Sequence, residues 1–109
     1  MRTPQTEAEF LDLVGQAIFE TEELVVCVTE DLDDETADLS ATFAGLAHGL
    51  RTLEQDVRRA THCFANGRDL RVMGLAHTYR HVIPFYGLLD ALNRAHRQGV
   101  TPPHRPGPT

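Results

Sequence analysis

The chain has 109 residues, 41% of them hydrophobic, and a formal net charge of −6. That is enough for one domain with a core and too little for two, and it is too apolar for generic disorder. The acidic balance without a basic run argues against a phosphate-backbone binder. No apolar run approaches the ~20 residues of a membrane-spanning helix, and MRTPQTEAEF lacks the apolar segment of a secretion signal, so a cytoplasmic chain is expected.

The charge is unevenly spread. Residues 1–47 hold twelve acids and one arginine, whereas 48–109 hold four acids, nine arginines and all six histidines. An acidic first helix packed beside basic later ones follows, within one chain or across a dimer. Every basic residue is arginine, a bias that a GC-rich bacterial genome produces. Trp is absent and seven residues are Phe or Tyr, so the core is aliphatic. Cys27 and Cys63 stand alone, with no CxxC spacing, and read as buried thiols.

In chain order, Thr6 caps a first helix over 6–32, with Glu9 completing a capping box and Glu7 in the first turn. Phe10, Val14, Ala17, Leu24, Val28 and Leu32 form its apolar face, widened by Leu11, Leu13, Ile18 and Val25. The run Leu24-Val25-Val26-Cys27-Val28 has strand character, but no second strand exists to pair with it, and helix is the reading taken. Asp33 or Asp34 caps a second helix over 35–65. Leu39, Phe43, Leu46, Leu50, Leu53, Val57, Ala60 and Phe64 repeat at alternating spacings of four and three, a heptad seam. Thr42, His48, Thr52, Arg59 and His62 fall on its outer face, and Asn66-Gly67 supplies its C-cap.

A third helix over 68–83 follows, with a seam of Val72, Leu75, Tyr79 and Val82. Pro84 kinks it or opens a fourth helix at its first position, over 84–98, ended by Gly99. The expected fold is all-α: an antiparallel three- to four-helix bundle with coiled-coil packing, completed by dimerisation. Residues 1–100 form one domain, and the four prolines of 101–109 mark a disordered tail. Leu50, Leu53, Val57, Tyr79, Tyr86 and Leu89 are the expected assembly contacts.

Three constellations bear on chemistry. Glu20-x-x-Glu23 and Glu35-x-x-Asp38 flank the first turn, and four carboxylates brought together there suit Mg²⁺. The ExxE–ExxD pattern resembles that of the all-α nucleoside-triphosphate pyrophosphatases, the MazG-like group, over about residues 20–50. The resemblance implies Mg²⁺-dependent cleavage of nucleotides to monophosphate and pyrophosphate. The usual downstream lysine is missing, and Arg94 is the nearest substitute. His77 and His81, four apart, are spaced to share one Zn²⁺-type ion. His48-Gly49-Leu50-Arg51-Thr52-Leu53 resembles the phosphoacceptor box of histidine kinases, with Gly49 and Leu53 departing from it. None of these outweighs the architecture. The expected function is that of a small helical interaction module, an adaptor, chaperone or regulator. It needs no cofactor, assembles as a homo-oligomer, contacts a protein partner, and engages neither nucleic acid nor membrane.

Overall fold

The computed structural model describes residues 3–30 and 34–101, the side chains of 29, 30 and 34–38 excepted. Four helices run in order: α1 (Glu7–Glu30), α2 (Asp34–Arg58), α3 (Val72–Thr78) and α4 (Tyr86–Gln98). The described residues contain no strand, and 24–28 are helical.

The start of α1 follows from its sequence. The Glu9 amide donates to Thr6 Oγ1 at 3.1 Å, and Glu9 Oε2 accepts from the Gln5 amide at 3.4 Å. This is a capping box whose return bond lands one residue before the cap. The same end is tied to the end of the domain. The Glu7 amide donates to the Thr101 carbonyl and the Thr101 amide to the Gln5 carbonyl, each at 2.9 Å. Thr101 therefore belongs to the fold and not to a tail; the rest of the expected tail, 102–109, lies outside the described residues, as does Leu32.

The apolar periodicity coincides with the buried faces of α1 and α2 along most of its length. Phe10, Val14 and Ala17 of α1 meet Phe43, Leu46, Leu50, Leu53 and Val57 of α2 in one core. Thr21, also fully buried on α1, satisfies its hydroxyl by donating to the Ala17 carbonyl at 2.7 Å, the usual recourse of a mid-helix threonine.

The second helix is shorter than its pattern suggested. It stops at Arg58, not at residue 65. The Ala60 amide bonds the Val57 carbonyl at 3.1 Å and the Thr61 amide bonds the Asp56 carbonyl at 2.9 Å. Those two bonds, with Ala60 left-handed at φ 58°, form a Schellman cap. A glycine normally holds that position, and its absence concealed the helix end. Ala60 and Phe64 consequently leave the seam, and residues 59–71 form an irregular segment.

The later helices are also shorter than expected, Val72–Thr78 in place of 68–83 and Tyr86–Gln98 in place of 84–98. Pro84 lies just ahead of the N-cap residue, Phe85, in a turn that separates α3 from α4. Val72, Met73 and Ala76 are the buried side of α3, whereas Leu75 and Val82 of the expected seam are exposed. On α4, Leu88, Leu89, Leu92 and Ala95 are buried as expected. Gly99, at φ 87°, ends the helix with its amide on the Ala95 carbonyl at 2.8 Å.

The molecule is elongated, 59 × 21 × 21 Å. The α3–α4 pair covers one end of the α1–α2 hairpin. Tyr79 meets Phe43 edge-on at 6.5 Å, and Phe85 and Leu88 share a groove with Gln16 and Glu20. Farther along the hairpin, Leu24, Val25, Val28 and Leu39 are half-buried, and Arg51 reaches back across α1 to Glu22.

Candidate functional site

At the covered end of the hairpin the loop after α2 brings polar and aromatic groups together. Because α2 stops at Arg58, the chain from Arg59 to Arg71 is free to fold back over α4 and the start of α1. Its return is recorded in hydrogen bonds. The Ala65 amide donates to the His96 carbonyl at 2.6 Å, and the Leu70 amide donates to Asn93 Oδ1 at 2.9 Å. Asp69 Oδ1 accepts from Asn93 Nδ2 at 3.0 Å and from Arg97 Nη1 at 2.8 Å. Asn93 thus clasps the loop with both ends of its amide, fixing its orientation.

Beneath the clasp lie two histidines. His62 Nε2 and His96 Nδ1 are 2.9 Å apart. Phe10 stacks with His62 at 6.5 Å, Phe64 meets His62 edge-on at 4.6 Å, and Phe64 meets Phe10 edge-on at 5.1 Å. His96 is 2% exposed, and its Nε2 is buried without a hydrogen-bond partner of normal geometry. An open cleft of about 350 Å³ runs beside the pair, bordered by Asp56, Thr61, Cys63, Arg68 and Arg71.

Burial sets the electrostatics of the pair. Desolvation is the largest influence on both rings and pushes both below the ordinary histidine range. His96 lowers His62 further, while the carboxylate of Asp56 pulls the other way. For His96, the backbone of Arg68 and the carboxylate of Asp69 favour the charged form and Arg97 opposes it. Either ring can donate across the Nε2–Nδ1 contact, according to its tautomer, and the other then accepts. Asp69 is held below the usual carboxylate range by its bonds from Asn93 and Arg97.

The residues singled out from the sequence lie elsewhere. Glu20 is half-exposed and Glu23 exposed on α1; the side chains of Glu35 and Asp38 lie outside the described residues. Among the described residues, no three His, Cys, Asp or Glu side chains converge as metal ligands would. His77 is on α3, but His81 falls in the turn after it, so their spacing of four does not place them on one helix; Arg80 Nη1 lies 3.3 Å from His77 Nε2 and donates to the His77 carbonyl. His48 is exposed on α2. Cys27 and Cys63 are exposed free thiols, not buried ones, because Cys27 faces away from the core and Cys63 lies in the loop. Leu50, Leu53, Val57 and Leu89, expected as assembly contacts, are spent in the chain's own core, with Tyr79 and Tyr86 half-buried against it. No described helix is long and apolar enough to cross a membrane.

Comparison with protein-family models, with curated proteins and with solved structures finds no match.

The heptad pattern sets His62 on the outer face of a helix, and no motif marks His96. A usable signal was present. Thr61, His62, Cys63, Asn66 and Gly67 are weak helix formers in close succession, a poor continuation of the strong helix before them. Nothing local links His62 to His96 across 34 residues.

Proposed function

We propose that the chain is a small helical interaction module that works as an assembly of two copies. One observation carries this reading. Four large apolar side chains are exposed among the described residues, in two pairs of opposite electrostatic setting. Phe19, 61% exposed, and Val26, 54% exposed, are seven residues apart on one face of α1, with the acids Glu20 and Glu23 between them. Leu75, 39% exposed, lies on α3 and Val82, 37% exposed, in the turn after it, with Arg71 and Arg80 nearby in the chain.

Neither arginine meets an acid among the described residues. An apolar, acidic stripe and an apolar, basic one on the same chain suit a two-fold pair in which each copy's α1 faces the other's α3. Half-buried Leu24, Val28 and Leu39 would be covered in the same step.

Light scattering over a wide concentration range tests it. The expected result is a dimer that Phe19→Glu converts to a monomer with unchanged helix content. A wild-type monomer throughout would overturn the assembly. A dimer indifferent to Phe19→Glu and Arg80→Glu would overturn the surfaces named.

A further inference from the structure

We propose that the His62–His96 contact is a proton-operated latch that holds the Arg59–Arg71 loop over the covered end of the hairpin and releases it in mild acid. The inference is independent of the assembly.

The geometry limits how many protons the contact tolerates. Two imidazole nitrogens 2.9 Å apart form a hydrogen bond only when a single proton lies between them. The neutral pair meets that condition whichever ring donates. One added proton is tolerated, because each far nitrogen can carry a proton while a single one still lies between the rings. A second must go to one of the two facing nitrogens, His62 Nε2 or His96 Nδ1. Two N–H groups then face each other, two cations share one partly dry site, and the contact breaks.

The rest of the loop's attachment does not titrate near neutrality. It consists of the Ala65 and Leu70 amide bonds to α4 and the Asp69–Asn93–Arg97 set. The groups that face the pair come from every packed element. Asp56 at the end of α2 and Asp69 in the loop favour protonation, and Arg97 of α4 opposes it. From α1 the neutral ring of Phe10 stacks with His62. The closed state also carries a built-in cost, since His96 Nε2 is buried without a good partner. Opening lets water reach that atom, which favours release once the second proton arrives.

Amide hydrogen exchange tests the latch, with rates corrected for the intrinsic effect of pH. The reporters are the amides of Ala65 and Leu70, and the Leu50 amide inside α2 is the reference. Between about pH 7.5 and about pH 5.5, the window in which histidine changes charge, protection at Ala65 and Leu70 is expected to fall at least tenfold relative to Leu50. In His62→Gln the fall should shrink to less than threefold. The Gln amide can donate to a neutral His96 or accept from a charged one, so it tolerates both states.

An equal fall in His62→Gln, or no fall in the wild type, would overturn the latch. Loss of protection at Leu50 in step with the loop would show global unfolding and would overturn it too.

Discussion

Val72 occupies the space that a side chain at Gly49 would need: a Cβ built there would lie 2.8 Å from Val72 Cγ1. That contact sets how closely α3 approaches α2. One turn earlier, a Cβ at Gly45 would sit 3.9 Å from Leu75 Cδ1, an ordinary contact. The two glycines are therefore expected to respond oppositely to alanine. Gly45→Ala removes a helix-interior glycine and should stabilise by up to about 1 kcal/mol. Gly49→Ala gains the same propensity but overpacks a β-branched neighbour at a cost of about 1–3 kcal/mol, so it should be neutral to destabilising by about 2 kcal/mol. Urea midpoints of the two variants, side by side, check this.

Ala60 ends α2 in a left-handed conformation at φ 58°. An L-residue with a Cβ pays about 1–2 kcal/mol there, and glycine does not. Ala60→Gly should raise stability by about 1 kcal/mol, read as a shift in urea midpoint at constant slope. A loss would argue against the Schellman cap.

Leu50 is fully buried in the single-chain core. Leu50→Ala should cost about 2–5 kcal/mol through lost burial and the cavity left behind. Leu53→Asp, which buries an unpaired charge beside it, should prevent folding. Because this core belongs to one chain, circular dichroism should show both losses equally in a Phe19→Glu background, where the assembly is removed. Losses that vanish in that background would place the seam between copies instead.

Asn93 joins the loop to α4 through Leu70 and Asp69. Asn93→Ala strands the half-buried Leu70 amide, a loss of about 1–3 kcal/mol. Hydrogen exchange at Leu70 should accelerate more than exchange in the middle of α2.

Stability should depend on pH through His62 and His96. Both are held below their ordinary value of 6.5, chiefly by burial. As pH falls through 6.5 the unfolded chain takes up protons that the folded chain still refuses. The contribution of the pair is thus fully present above that pH and declines below it. Asp69 acts with the same sign but only in much stronger acid, since its carboxyl is held below 3.8. Urea midpoints should be level from about pH 8 to about pH 7 and fall toward about pH 5. A midpoint that rises on acidification would contradict the buried neutral pair.

The sequence by itself determined the helices as faces. The capping box at Thr6 and Glu9, the apolar side of α1 and the seam from Phe43 to Val57 all reappear, because a period of 3.6 residues is a local property that each residue reports directly. Gly99 marks the last helix end for the same reason, since its freedom at positive φ is written in its identity. Only the tertiary structure decided where α2 stops. The left-handed Ala60 is unfavourable locally, and the loop's hydrogen bonds to α4 and the Phe10–His62–Phe64 cluster compensate for it. The histidine pair is of the same kind. His62 and His96 are joined neither by spacing nor by motif, only by the fold that brings the loop across the end of α4 and buries both rings in one place.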